Sequence, residues 1–371
     1  MMKNREGTSD FPNPNRRGMT MFSKLNFKVL GFVVGIPLLA SLVIFANFDA
    51  ILNQVLKGEI KKAFVTQPVN DDLLEVMFCG TGTPRFNKDR AQPCLMISAG
   101  NQNILFDAGQ GALWSMEKMK APWQKLNAVF ITHLHSDHVS GLGEVIQNGW
   151  VAGRSNAVDV FGPVGIKNVI DGFKQVYKED IHERLMTFDN NVKKNIKHIW
   201  GKVEEIAVDD ALAHVVYDKK GLVVKAFRVD HPNWGYAYGY KIEYRGKSIV
   251  FSGDTRATDA IAIHSQDADL LIHEAYNKNL MDKVATLVDE LNLTYDSKTV
   301  NNIAAVHTET IALSKLAQQA QVKSLVLTHM IPPIPAIGVA ESYFMKGMSD
   351  VYRGNLSMAR DGTRIKLDVK E

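Results

Sequence analysis

The sequence predicts an α/β protein whose body is a four-layer αββα sandwich, preceded by an N-terminal transmembrane helix. Two observations lead there. Twenty consecutive uncharged residues, VLGFVVGIPLLASLVIFANF, lie between Lys28 and Asp49. From about residue 73 onward, short β-rich runs alternate with helical patterns, and the whole alternation occurs twice. Two β-rich halves, each flanked by helices, bury their apolar faces as sheet on sheet with helices outside.

The composition fits that reading. Of 371 residues, 46% are hydrophobic and 22% charged, which excludes a disordered, collagenous or disulfide-scaffold chain. The formal charge of +3 is concentrated at the N-terminus, where residues 1–48 hold six basic and two acidic side chains. The remaining 37 basic and 38 acidic residues leave the body close to neutral, so nucleic acid is not the expected partner.

In chain order, residues 1–28 form a polar, basic segment, turn-rich up to residue 18. Residues 29–48 are long enough as a helix to cross roughly 30 Å of hydrocarbon. Basic residues before the run and none after it until Lys57 predict a signal-anchor with the following domain outside the cytoplasm, periplasmic in a Gram-negative cell. A cleaved signal peptide and a buried core helix are the competing readings of the same run. Residues 49–72 read as a helix and linker, and 73–371 as the globular body.

Within the body, LLEVMFCGTGTP is a strand ending in a Gly/Pro turn, and CLMISAGNQNILFDAG a hairpin turning at Gly100-Asn101. LNAVFITHLH is a continuous apolar run, the pattern of a strand buried on both faces. Helical patterns follow near 140–149 and 164–178. The second half repeats the scheme with LVVKAFRVDH, a hairpin turning at 244–247, the buried run DLLIHE, a helix near 309–320 and the strand SLVLTHM. Cys79 and Cys94, 15 apart, are either a disulfide or two small buried hydrophobes.

The chemistry starts at His133-Leu134-His135-Ser136-Asp137-His138, directly after an apolar strand. Side chains at i and i+2 of a strand share a face, so His133 and His135 can address one ion while Asp137 and His138 turn toward a second. Three imidazoles and a carboxylate in six residues are a metal-ligand set.

This HxHxDH pattern resembles the signature of the metallo-β-lactamase superfamily. Four further elements match its order: Asp107 in ILFDAG, His231 in VDHPNWGYAYGYKI, Asp254 in FSGDT and His329 in LVLTHM. The resemblance covers about 73–371 and implies the metallo-β-lactamase fold. It implies that His133, His135 and His231 hold one divalent metal, that Asp137, His138 and His329 hold another, and that Asp254 bridges them. The cofactors are then two divalent ions, zinc first, with manganese or iron as alternatives. A bridging hydroxide would be the nucleophile, and Asp137 would belong to the catalytic group as well as to the ligands.

The aspartate in Gly253-Asp254-Thr255 resembles the phosphodiesterase, ribonuclease Z, arylsulfatase and lactonase branches. GTGTPRFNKDRAQPC, the His273-Glu274 pair in DLLIHEAYN, and His307, 22 residues before His329, narrow it to the ribonuclease Z-like and arylsulfatase-like group. There His307 would protonate the leaving oxygen, and His273 and Glu274 would orient a ligand or relay protons. Residues 139–230 lack the basic Gly/Pro-rich arm usual in ribonuclease Z. With Phe173, Tyr177 and Trp200 they resemble the lid of arylsulfatases of this fold. The leading expectation is therefore a membrane-anchored, arylsulfatase-like hydrolase of small sulfate or phosphate esters. Ribonuclease Z-type endonuclease or phosphodiesterase is the alternative, then lactonase, with an anchored metal-binding protein outside the enzymes. Homodimerisation is common in the family and is expected on that ground alone.

Overall fold

The computed structural model describes residues 41, 43–64, 72–187, 196–232, 235–293 and 296–369. The chain divides into two units, residues 1–68 and 69–371. In the first, a helix runs from Phe48 to Phe64. Among the described residues no helix is long and apolar enough to cross a membrane. The transmembrane helix expected over 29–48 lies outside the described residues except at 41 and 43–48.

The second unit is built on two seven-stranded sheets. The first contains β1 (Leu74–Gly80), β2 (Cys94–Ala99), β3 (Gln102–Phe106), β4 (Ala128–Phe130), β5 (Val158–Pro163) and β6 (Trp200–Ile206). The second contains β7 (His214–Lys219), β8 (Leu222–Arg228), β9 (Tyr238–Tyr244), β10 (Lys247–Phe251), β11 (Leu270–Tyr276), β12 (Ser324–Ile331) and β13 (Asn355–Met358). The last strand, β14 (Arg364–Lys366), returns to the first sheet, giving the orders β14-β1-β2-β3-β4-β5-β6 and β13-β12-β11-β10-β9-β8-β7. Each sheet begins with antiparallel hairpins and continues with parallel strands, β3 to β6 in the first and β10 to β13 in the second.

Side-chain alternation sorts three apolar layers. Leu74, Val76 and Phe78 point between the sheets, where they join Phe106, Phe130, Tyr240, Phe251 and Ile272. Met77, Cys79, Leu105 and Val129 face the opposite way, beneath helices Leu142–Val151 and Ile166–Val176. Val250, Leu271 and Leu327 are covered by helices Asp259–His264 and Thr310–Gln319. This is the αββα order expected from the two repeated halves. Phe130 stacks between Phe106 and Phe161 at centroid distances of 5.2 and 5.0 Å, which fixes the middle of the sandwich.

Cys79 and Cys94 are bonded, closing the loop between β1 and β2. The helix expected near 164–178 spans Ile166–Val176, and a second, Lys178–Thr187, follows it after Tyr177. Two of the three aromatic residues read as a lid, Phe173 and Trp200, pack on the helix-covered core. Phe173 lies against Gly143, where a Cβ would come within 2.3 Å of its ring, and Trp200 is packed on the same helix-covered core.

Candidate metal centre

The candidate residues meet at one end of the two sheets, beyond the carboxyl ends of β3, β4 and β10 and within β11 and β12, where α/β sheets bind ligands. Tyr240 Oη donates to Ile131 O at 2.7 Å and Tyr238 N–H donates to Thr132 O at 3.0 Å, so the second sheet holds the chain that leaves β4. His133 and His135 follow immediately, and Asp137 and His138 lie in a single helical turn, Ser136–Val139. Gly253, with φ of 60°, turns the chain toward Asp254; a Cβ there would sit 2.9 Å from Thr132 Cβ and Tyr238 O.

Among the described residues three donor groups form; two are those implied by the resemblance, and the third, Asp254, His307 and His329, shares two members with them. Of the implied two, His133, His135, His231 and Asp254 make one; Asp137, His138 and His329 make the other. Within the first, His133 Nε2 is 2.7 Å and His231 Nε2 3.4 Å from His135 Nδ1. In the second, His138 Nε2 is 3.5 Å from Asp137 Oδ2, and His329 Nε2 is 3.3 Å from it. Asp254 Oδ2 lies 3.5 Å from His138 Nε2, 3.4 Å from His329 Nε2 and 3.9 Å from His133 Nε2, so it faces both clusters.

This donor set fits divalent cations. Around a tetrahedral ion with bonds of about 2.0–2.1 Å, neighbouring donors stand about 3.3 Å apart, which is the spacing of the second cluster. His138 Nε2 is buried with no hydrogen-bond partner, a costly arrangement for a ring nitrogen unless a cation takes its lone pair. Outer contacts set the ring orientations. His138 Nδ1–H donates to Asp107 Oδ2 at 2.8 Å and His231 Nδ1–H to Val306 O at 3.2 Å, which leaves each Nε2 facing the cluster. Asp107, itself at φ of 56°, accepts Thr132 N–H and Thr132 Oγ–H, tying the support to the strand end.

Electrostatics favour the same state. Burial holds His133 well below the usual imidazole range, His135 near about 4, and His231 below its ordinary value, so these rings are neutral donors. Burial opposes the charge on Asp254, but His329, His138 and His133 hold it well below the carboxylate range. His138 goes up despite burial, because Asp137, Asp107 and Asp254 surround it. A cation among the same carboxylates would take the place of that proton.

Glu274 and His307 come together beside the clusters. His307 Nδ1 is 3.2 Å from Glu274 Oε1, and its ring lies 5.4 Å from that of His231 and 5.7 Å from that of His329. Glu274 Oε1 also accepts the N–H groups of Thr255 and Thr308. His273 does not join them. It alternates with Glu274 on β11 and pairs with Leu327, so it faces the helix-covered side, with Nδ1 2.6 Å from Glu274 O. The structure thus does not bring His273 into the donor groups. Sequence reasoning also missed Thr132, Thr308 and the Val306 carbonyl, which carry no spacing signal of their own.

The family model of the anti-Pycsar protein Apyc1 matches residues 74–330. Ribonuclease Z of Mycobacterium bovis (strain BCG / Pasteur 1173P2) is 27% identical over 299 residues, covering 80% of this chain and 99% of that protein. Human tRNase Z, short form, superposes with a TM-score of 0.55 at 22% identity, over 78% of this chain and 98% of its own. The metallo-β-lactamase-fold protein YhfI from Bacillus subtilis gives 0.54 at 20%, over 80% and 100%. Ribonuclease Z is thus among the relatives that span the body. The expectation of a small-molecule ester substrate with nucleic acid unlikely, and the arylsulfatase-like reading with it, are corrected. The near-neutral body misled because formal side-chain charge omits the ions a centre of this kind would hold, the largest local charges in such a site.

Proposed function

Because the chain belongs to the family of the anti-Pycsar protein Apyc1, in the ribonuclease Z-like branch of the metallo-β-lactamase superfamily, and is a metal-dependent hydrolase of ester bonds, we propose that it cleaves phosphodiester bonds of RNA. The observation that carries this is His307, braced by Glu274 and standing against both donor clusters. A phosphodiester needs a proton for its departing sugar oxygen, which is a poor leaving group without one.

His133, His135, His231 and Asp254 would hold one divalent ion, and Asp137, His138, His329 and Asp254 the other, with zinc the best match to imidazole and carboxylate donors. When bound, the pair would lower the pKa of a shared water and neutralise charge on the phosphoryl oxygens. The rest is done by the chain. Asp107 and Val306 keep His138 and His231 in the tautomer that presents Nε2. Glu274 faces His307 Nδ1, so Nε2 is left to serve the substrate. As water adds to phosphorus and the P–O bond breaks, His307 gives its proton to the leaving oxygen, and the proton shed by the water restores His307.

One feature favours RNA shorter than tRNA. The described part of residues 139–230 is built into the sandwich as helices and strands β5 to β8, rather than as a projecting arm. The test is hydrolysis by the full chain of a tRNA precursor with a 3′ trailer, a short oligoribonucleotide, bis-p-nitrophenyl phosphate and p-nitrophenyl sulfate, with Asp254→Ala alongside. Cleavage of either RNA, lost in the variant, is expected. Turnover of the sulfate ester alone would overturn the proposal.

A further inference from the structure

His329 is the extra residue of a β-bulge. Along β11 and β12, Glu274 pairs with Thr328 and Ala275 with Met330, so His329 has no opposite number. Its φ of 47° is unusual for any residue but glycine. Its N–H turns away from β11 and donates to Thr81 O at 3.2 Å, at the end of β1 in the other sheet. The imidazole is thereby aimed at Asp137 and Asp254.

Thr81 is itself held from every side. Its N–H and Oγ–H both donate to Asp361 Oδ1, at 3.0 and 2.7 Å. Arg90 Nη1 donates to the same hydroxyl and to Ala359 O, each at 2.7 Å. Asp361 Oδ2 accepts Ala91 N–H at 2.5 Å. Arg90 is only 4% exposed, and Glu341 receives it at 2.9 Å together with Arg360 at 2.8 Å. None of these residues belongs to either donor cluster. Nothing in the implied ligand set calls for a buried network here. What it visibly fixes is the Thr81 carbonyl, and through it the backbone of His329 alone among the ligand candidates.

We propose that Asp361 is a positioning residue for one half of the centre. Through Thr81 it sets the His329 bulge, so it governs the half-site of Asp137, His138 and His329 and leaves that of His133, His135 and His231 alone. The inference rests on the reading that the two clusters bind metal. It makes the two sites separable, because among the described residues the hydrogen bonds of Asp361 reach Thr81 and Ala91, and Thr81 O in turn holds His329, a member of the second cluster and not of the first.

The experiment is titration of the metal-free full chain with Co²⁺, followed by visible absorption and by calorimetry, without reference to turnover. Wild type should take two ions. Asp361→Ala should keep one at wild-type affinity and bind the other about 10–100-fold more weakly, the range for loss of an outer support. Thr81→Val preserves shape and the main-chain bonds, and carries the test if Asp361→Ala does not fold; it should weaken the same site, and Thr81→Ser should restore it. Equal weakening of both sites, or two ions at wild-type affinity in Asp361→Ala and Thr81→Val, would overturn the proposal. Failure of wild type to bind two ions would instead overturn the reading beneath it.

Discussion

Glu274 Oε1 stands 3.2 Å from His307 Nδ1 while accepting two backbone N–H groups, from Thr255 and Thr308. The carboxylate is thus fixed before it meets the imidazole. Burial works against a charged His307, yet Glu274 and then Asp254 raise it above the ordinary value. An acid with a raised pKa keeps its proton to higher pH, so the alkaline limb of kcat/KM belongs to this pair. Glu274→Gln should move that limb to lower pH and cost about tenfold at neutral pH. His307→Ala should cost about 10²–10⁴-fold on RNA and far less on bis-p-nitrophenyl phosphate, whose leaving group needs no proton. A uniform loss over both substrates would remove the acid role.

Asp254 faces both clusters, so one substitution should disable two sites. In Asp254→Ala the metal content measured by elemental analysis should fall below one ion per chain. Activity should drop at least about 10³-fold, the scale of losing a charge-stabilising group in a buried site. Far-ultraviolet circular dichroism should be unchanged.

Asp269, ahead of β11, accepts Ser248 N–H at 3.0 Å and Lys323 Nζ at 2.9 Å, with Lys247 Nζ at 3.4 Å. Burial opposes its charge, but Lys323, the Ser248 N–H and Lys247 together hold it below the ordinary 3.8. A depressed carboxylate stabilises the fold above its unfolded pKa, and the gain is lost as pH falls through the folded value. Asp269→Asn should therefore cost about 1 kcal/mol at neutral pH. The difference from wild type should shrink in urea melts as pH falls below 3.8 and vanish only once pH is under the depressed folded value. A constant difference across pH would refute the assignment.

The bond between Cys79 and Cys94 closes a loop that carries Thr81, Arg90 and Ala91, with both cysteines buried. Replacing both by Ala should lower stability by about 3 kcal/mol on the chain-entropy scale for such a loop. The check is the urea midpoint of the double variant against wild type under non-reducing conditions.

The donor residues were legible because metal chemistry restricts residue type and spacing together. His133, His135, Asp137 and His138 declare themselves within six positions, and period-two alternation already divides them between two ions. His231, Asp254 and His329 have no local signal beyond a strand end, and only the resemblance brought them in. The layers were legible because two β-rich halves must cover their faces. What escaped depends on contacts distant in sequence. Thr81 and Asp361 are 280 residues apart, and no pattern in either neighbourhood announces the bond. Phe173 and Trp200 looked available for substrate because an aromatic residue reads alike whether it lines a cleft or fills a core. His273 and Glu274 look like a unit in sequence, but adjacent strand residues face opposite ways.

Both donor clusters straddle the seam between the sheets. His133, His135, Asp137 and His138 leave the first sheet, while His231, Asp254 and His329 come from the second. Ions held there would join the two halves of the sandwich, so binding free energy would be counted in the melting curve. A ligand present at 1,000 times its Kd adds about 4 kcal/mol of stability for one site. Chelation should accordingly lower Tm as well as stop turnover. The protein's lifetime in a metal-poor setting would then be set by the same residues as its chemistry.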